Sequence, residues 1–256
     1  MNDENYLLDL SNFKKWEKIG KGGYGKVYKI EDNQTKQIFA AKISRDQLDF
    51  KSKEKFYQYA REVNIISKLN HPSILKFIGF SRTNFKGNPY PVIVTEFEPN
   101  GSLDYILELE RAECAPEYWN DTKKLINIYG IASAMSYLHS NNILHRDLKP
   151  QNILEDDYLF PKIGDFGLSK LYHQNKNSAS FQSGTEIKGT FTYIAPEVYK
   201  GEKYVSASDV FSFAIIVYEI ITNQIPFEEY DKFQFVYAVV NKNVRPKIKK
   251  SIAYNA

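Results

Sequence analysis

His145-Arg146-Asp147-Leu148-Lys149-Pro150-Gln151-Asn152 is the stretch from which the rest of the chain can be read. It puts an imidazole, a guanidinium, a carboxylate, an ammonium and a carboxamide into eight residues, more chemistry than a surface turn needs. Residues 138–144 ahead of it read as the end of a helix and a short strand, and Ile153 and Leu154 restart an apolar run behind it. A polar loop gripped at both ends by buried residues is the arrangement expected of catalytic groups, which sit on loops held by a rigid scaffold.

The surrounding chain can supply that scaffold. Its 256 residues suffice for one large domain or two smaller lobes, and 43% hydrophobic content with 15% aromatic excludes global disorder. The 34 basic and 31 acidic residues are spread along the sequence and leave a net charge of +3, which offers neither a nucleic-acid nor a membrane surface. The densest basic run, Lys247 with Lys249 and Lys250, reads as solvated. The one cysteine, Cys114, excludes an intramolecular disulfide framework and a clustered thiolate metal site, and fits a reducing compartment. Met1-Asn2-Asp3-Glu4 has neither the basic segment nor the apolar run of a secretory signal. The longest apolar stretch, residues 210–221, is broken by Ser212 and Glu219 and falls short of the ~20 residues of a membrane span. A soluble cytoplasmic protein with no membrane insertion and no nucleic-acid partner is expected.

The first hundred residues read as strands with one helix among them. Gly20, Gly22, Gly23 and Gly25 run into Val27-Tyr28-Lys29-Ile30, so the glycines form a hairpin. A dinucleotide fingerprint would open a helix at this point, and a phosphate loop would follow Gly25-Lys26 with a hydroxyl where Val27 stands. A flexible hairpin tip stays open as the plainer reading. In the next strand Ile38, Ala40 and Lys42 share one face and Phe39, Ala41 and Ile43 the other. Taken alone, Lys42 reads as a solvated edge lysine, as most strand lysines are. Phe56, Tyr59, Val63 and Ile66 mark the apolar stripe of a helix, with Glu62 on its flank. The helical neighbours of Glu62 are Gln58, Tyr59, Ile65 and Ile66, none of them cationic. If half-buried it needs a tertiary partner, for which Lys42 is the candidate; a solvated glutamate remains possible.

Pro99-Asn100-Gly101 breaks regular structure and sets a boundary between residues 1–98 and 99–256, the latter mainly helical. Leu125, Ile128, Ala132 and Met135 are spaced as one helix face leading to the polar loop. Residues 210–221 are apolar almost all round, predicting a helix buried on every side, with Ser206 and Asp209 forming a capping box at its start. Residues 175–184, rich in Ser, Asn and Gly, are expected to be mobile.

Taken together these motifs resemble a eukaryotic protein kinase domain of the serine/threonine type. In the family's order they are the glycine loop from Gly20 to Val27, Ala40-Ala41-Lys42, Glu62, the polar loop, Asp165-Phe166-Gly167, Ala195-Pro196-Glu197 and Asp209. Asp209-Val210-Phe211-Ser212-Phe213-Ala214 and Val244-Arg245-Pro246 further resemble the tyrosine-kinase-like group of such kinases. The resemblance implies an α+β, bilobal kinase-like fold: a small N-terminal antiparallel β-sheet lobe with one helix, and a larger helical C-terminal lobe whose last helices are missing.

It also implies roles. The function would be transfer of the γ-phosphate of ATP to Ser or Thr hydroxyls of protein substrates, with Mg2+ as metal. Lys42 would contact the α- and β-phosphates and Glu62 would hold Lys42. Asp165 and Asn152 would hold the metal ions, Asp147 would take or orient the hydroxyl proton, and Lys149 would neutralise the moving phosphate. ATP would lie among Ile19, Gly20, Gly22, Gly25, Val27, Ala40 and Leu154, with Thr95 guarding the rear and the backbone of Glu96 and Glu98 on the adenine edge. His145 would pack under Phe166 in a column through Ile66 and Phe77, Thr190 would mark the segment before Ala195, and Asp209 would tie the polar loop to the buried helix. Arg146 would read phosphorylation of the activation segment, with Ser178, Ser180, Ser183 and Thr185 as candidates and Ser183 or Thr185 foremost. An upstream kinase or a second copy in trans would modify them.

One departure stands out. The family normally continues into helices that give an arginine to the glutamate matching Glu197, and no residue before Ala256 is placed for that role. Loss of such a buried partner costs about 3–5 kcal/mol. A kinase-like nucleotide-binding or scaffold module of little activity is therefore the alternative expectation. A nucleotide-binding oxidoreductase would leave the polar loop unexplained.

Overall fold

Short runs of alternating side chains between Phe13 and Glu96 fold into one antiparallel sheet, with strand order β1-β2-β3-β5-β4. The computed structural model describes residues 3–22, 25–47, 53–171 and 191–248. The strands are β1 (Phe13–Gly22), β2 (Gly25–Asp32), β3 (Ile38–Ser44), β4 (Phe77–Ser81) and β5 (Val92–Glu96), and helix α1 (Lys53–Ile66) lies between β3 and β4 in sequence. The alternation in β3 holds. Phe39 and Ala41 join Ile30, Val92, Val94 and Leu10 in one buried cluster, while Lys42 on the opposite face meets α1. The β1–β2 turn depends on Gly25: with φ at 155°, a Cβ there would lie 2.1 Å from the Ile43 carbonyl oxygen.

Ahead of β1, residues 3–12 form two short 3-10 turns that strap across β4. Leu7 bridges Phe80 in parallel, the Leu8 N–H donates to the Phe80 carbonyl at 2.8 Å, and the Tyr6 ring rests 5.3 Å from that of Phe77. Gly79 admits the strap, since a Cβ there would stand 2.6 Å from both Leu8 Cγ and the Tyr6 carbonyl oxygen.

Beyond β5 the chain is mainly helical: α2 (Leu103–Arg111), α3 (Asp121–Ser140), α4 (Pro196–Tyr199), α5 (Ser206–Thr222) and α6 (Lys232–Val236), which runs into a π-helical turn. Ser102 caps α2 and Asn120 caps α3, each side-chain oxygen accepting a backbone N–H of the first turn. Two short pairs, β6 (Ile143–Leu144) with β9 (Lys170–Leu171) and β7 (Ile153–Glu155) with β8 (Pro161–Ile163), frame the polar loop. One core runs from Ile66, Phe77 and Ile93 through Leu138, Leu148 and Phe166 to Ile216 and Phe235, so burying apolar surface fixes the loop against both halves of the chain. No helix among the described residues is long and apolar enough to cross a membrane.

Three helical expectations are corrected. The face α3 buries carries Asn127, Gly130, Ile131, Ala134, Met135 and Leu138, while Leu125 is 64% exposed. The helix presses onto Pro161 and Ser73 at Gly130, which turns Leu125 outward. Helix α5 is not buried on every side: Val210, Ala214 and Ile221 form an exposed strip. Nor does Asp209 cap α5. The capping contact is the Val205 N–H donating to Ser208 Oγ at 3.3 Å, and Asp209 is turned towards the polar loop. Residues 175–184 lie outside the described residues.

Candidate active site

The loop from His145 to Asn152 is suspended from Asp209. This carboxylate, 1% exposed, accepts the His145 N–H at 2.9 Å and the Arg146 N–H at 3.0 Å. It also accepts the Tyr204 hydroxyl at 2.6 Å and lies 3.0 Å from His139 Nε2. Burial works against its charge, but the donors from His139, Tyr204 and the Arg146 backbone, with the nearby His145 ring, hold the carboxyl below its usual range. The loop itself is bent: Arg146 has φ at 72°, in the left-handed region a non-glycine residue seldom adopts.

His145 belongs to the core. Its Nε2 is 3.0 Å from the Gly164 carbonyl and its Nδ1 accepts the Asp147 N–H at 3.3 Å, which assigns the hydrogen to Nε2. The ring meets Phe166 edge-on at 5.2 Å. Ile66 and Phe77 lie in the same core cluster as Phe166.

With the backbone held on both sides, Asp147 is fixed by its own loop. Its Oδ2 lies 3.0 Å from Lys149 Nζ and 3.0 Å from Asn152 Nδ2, and the same amide nitrogen donates to the Asp147 carbonyl at 2.7 Å. Asn152 Nδ2 is thereby committed, leaving Oδ1 as its free end. The Asn152 carbonyl accepts the Gly164 N–H at 2.8 Å, which draws in the next residue, Asp165. Asp165 also has a left-handed backbone, with φ at 56°.

Across the sheet, Lys42 Nζ lies 2.7 Å from Asp165 Oδ1 and 3.2 Å from Glu62 Oε1. The register that pairs Lys42 with Val27 on one side and Ile93 on the other delivers it to this point. Burial would discharge Lys42, but the two carboxylates outweigh that and hold its ammonium above its ordinary pKa. Burial likewise opposes ionisation of Asp165, and the Lys42 charge more than compensates, so Asp165 sits below the usual carboxylate range.

Among the residues expected around a nucleotide, strand pairing sets Gly20 beside Val27, Gly22 beside Gly25 and Ala40 beside Thr95, whereas Leu154 pairs with Ser102, outside that set. Ile19 is 43% exposed. The Thr95 hydroxyl donates to the Glu96 carbonyl at 3.1 Å, and Glu96 Oε1 accepts the Lys76 N–H at 2.8 Å and lies 3.3 Å from Lys162 Nζ. Glu98 beside it is pushed up to about 7, first by burial and then by the Glu96 charge.

Glu197, expected to lack a partner, accepts the Ser208 hydroxyl at 2.5 Å. Arg146 places its guanidinium 5.4 Å from the Tyr204 ring, and its buried Nε has no hydrogen-bond partner among the described residues. Ser178, Ser180, Ser183, Thr185 and Thr190 lie outside the described residues, so the phosphate-reading arrangement expected of Arg146 is not among the contacts described. The direct Lys42–Asp165 pair and the roles of Tyr204, His139 and Ser208 were not foreseen from sequence. A hydroxyl or imidazole carries no periodic signal, although Tyr204 and Ser208 both stand within five residues of Asp209.

No three His, Cys, Asp or Glu side chains cluster as a metal site among the described residues. Asp165 and the free Oδ1 of Asn152 offer hard oxygen donors of the kind Mg2+ takes when phosphates and water complete its shell. The donor set fits that ion. As a whole the arrangement offers an oriented carboxylate, two ammonium groups and two hard oxygen donors, the equipment for moving a highly charged group onto an acceptor whose proton must be taken.

Sequence comparison bears on which group that is. The family model described as "Protein kinase domain" matches residues 13–255. Serine/threonine-protein kinase STY46 of Arabidopsis thaliana is 34% identical over 245 residues, covering 95% of this chain and 39% of that protein. Serine/threonine-protein kinase STY17 of the same organism is 30% identical over 248 residues, covering 96% and 40%. The probable serine/threonine-protein kinase drkB of Dictyostelium discoideum is 31% identical over 245 residues, covering 95% and 33%. The chain thus spans between a third and two fifths of the length of these relatives.

Proposed function

The chain belongs to the protein kinase domain family, and from that membership we propose that it transfers the γ-phosphate of ATP to serine or threonine hydroxyls of protein substrates. The observation that carries the reading is a pair of separately built groups, Asp147–Lys149–Asn152 on one loop and Lys42–Glu62–Asp165 across the sheet, each held together at hydrogen-bond distances and joined where the Gly164 N–H, next to Asp165, donates to the Asn152 carbonyl.

In this reading residues 1–98 form the upper lobe and 99–256 the lower, with the nucleotide between them. Glu62 keeps Lys42 extended so that its ammonium meets the α- and β-phosphates. Asp165 and Asn152 Oδ1 would hold Mg2+, which when bound would supply neutralisation of the phosphate charge. Asp147 orients the substrate hydroxyl and accepts its proton as the oxygen bonds to the γ-phosphorus and the bond to the β-phosphate oxygen breaks, releasing ADP. Lys149, already beside Asp147, offsets the charge on the transferring phosphoryl group. The adenine lies between Val27 and Ala40 above and Leu154 below, under the turn of Gly20, Gly22 and Gly25 and against Ile19, with Thr95 behind it and the backbone of Glu96 and Glu98 along its edge. Serine/threonine preference rests on Lys149 two residues after Asp147 and on the names of the relatives. The partners are protein substrates, and either an upstream kinase or a second copy acting on Ser178, Ser180, Ser183 or Thr185.

The test is incubation of the purified protein with Mg2+-ATP and a generic serine/threonine substrate, beside Asp147→Asn and Lys42→Met. Transfer by the parent and by neither variant supports the enzyme. Nucleotide binding without transfer by the parent overturns it.

A further inference from the structure

Glu155 plays no part in the chemistry proposed above, yet it is the one carboxyl among the described residues with both oxygens buried and unpartnered. It ends β7, where its N–H donates to the Gly101 carbonyl at 2.9 Å and its neighbour across the hairpin is Pro161. Its side chain is wholly enclosed. The polar group that meets it is the carboxamide of Asn127 in α3, itself fully buried. Asn127 Nδ2 donates to the Lys123 carbonyl at 3.2 Å and the Leu159 carbonyl at 3.0 Å, which fixes the amide orientation and leaves Oδ1 without a partner.

Glu155 Oε1 and Oε2 and Asn127 Oδ1 are thus three buried acceptor oxygens without a hydrogen-bond partner among the described residues, with the Asn127 carboxamide beside the Glu155 carboxyl. The desolvation of a carboxylate left there outweighs what its neighbours return, and a buried acid in that position responds by keeping its proton. We infer that Glu155 is carried in the fold as a neutral carboxylic acid whose O–H is donated to Asn127 Oδ1, making one proton a structural ligand that pins the β7–β8 hairpin to α3. The single proton turns one orphan acceptor into a donor and satisfies a second. Because Leu154 precedes Glu155 in the same strand, the proton also steadies the floor of the cleft.

The surrounding charges favour the same state. Burial pushes the Glu155 carboxyl well above its ordinary range, and Asp156 in its own hairpin and Glu98 from the connecting segment push it the same way. The Asn127 carboxamide and Lys123 of α3 oppose them without reversing the direction; the Lys123 ammonium is committed to the Tyr158 carbonyl at 2.6 Å and sits over the Phe160 ring, so it does not enter as a counter-ion.

Equilibrium unfolding of the whole chain as a function of pH, parent against Glu155→Gln, tests the inference. In the unfolded chain Glu155 ionises near its free value of about 4.3, whereas the folded chain holds the proton to higher pH. Relative to the Gln variant, the parent's unfolding constant should then rise about tenfold per pH unit above that value, up to the folded pKa. A ratio that does not change with pH overturns the inference. Stabilisation of the parent, and not the variant, by K+, Mg2+ or Ca2+ also overturns it, since a cation would then fill the proton's place. If the Gln variant does not fold, the infrared spectrum of the parent is compared with that of Glu155→Met. A protonated-carboxyl band at neutral pH that the Met variant lacks supports the inference, and identical spectra in that region refute it.

Discussion

Asparagine in place of Asp209 keeps the size of the side chain and removes its charge, and the geometry fixes what this costs. One oxygen becomes an amino group directed either at the Arg146 N–H and Tyr204 hydroxyl or, after a flip, at the His145 N–H and His139 Nε2. The Tyr204 hydroxyl can rotate and His139 can change tautomer, but a backbone N–H cannot become an acceptor. In either orientation one buried N–H of the polar loop is left without a partner, at about 1–3 kcal/mol, and the three remaining bonds fall from charge-assisted to neutral strength, losing roughly another 2 kcal/mol together. Asp209→Asn should therefore destabilise the fold by about 3–5 kcal/mol, a large part of the roughly 5–15 kcal/mol that holds a domain. Urea unfolding at neutral pH measures it. The gap also has a required pH dependence: the folded carboxyl titrates below its unfolded value, so the parent's advantage is complete above about pH 4 and shrinks as pH falls through the lower folded pKa. A variant within about 0.5 kcal/mol of the parent at neutral pH would show that the loop does not hang from this carboxylate.

Other outcomes follow from the same contacts. Asp147→Asn should lower the transfer rate by about 10²–10⁴-fold with nucleotide affinity little changed, whereas Lys42→Met should weaken nucleotide binding itself, so single-turnover kinetics and a binding titration separate the two. Gly79→Ala forces a Cβ to 2.6 Å from Leu8 and the Tyr6 carbonyl; a loss of about 1–3 kcal/mol is expected, with earlier proteolytic cleavage within residues 3–12, and an unchanged digest would contradict it. Glu98 has its pKa pushed up to about 7, so it binds a proton in the folded state that the unfolded chain releases near about 4.3. Glu98 should therefore cost the parent stability between there and about pH 7 and no further; measured against Glu98→Gln, the parent's thermal midpoint should fall with pH across that window only, the slope that Glu155 contributes being common to both.

Much of the upper half was legible because a two-residue period leaves few choices. Once Phe39 and Ala41 are inside, Lys42 must point the other way, and a glutamate without a helical partner had one cation to meet. The helices were less determinate. Leu125 fits a plausible stripe on α3, but the buried face is set by what lies opposite, and the approach of Pro161 to Gly130 shifts it. Asp209 sits where a capping residue would, and only the position of a loop more than sixty residues earlier shows that its oxygens are used elsewhere. The direct pairing of Lys42 with Asp165 joins residues 123 apart, a closure no local pattern announces. Glu155 was unremarked for the same reason: beside Asp156 and Asp157 it reads as the start of a solvated turn, and its burial follows from the hairpin folding onto α3.

The strap of residues 3–12 changes where the folded unit starts. The family match begins at Phe13, yet β4 is the outer strand of its sheet and receives Leu7 and Leu8 along its open side. An outer strand with bare N–H and C=O groups is a template for pairing with another chain. A version trimmed to the family match would uncover that side together with the flank of Phe77, and should self-associate in proportion to concentration, whereas the full chain covers the same edge with its own first turns.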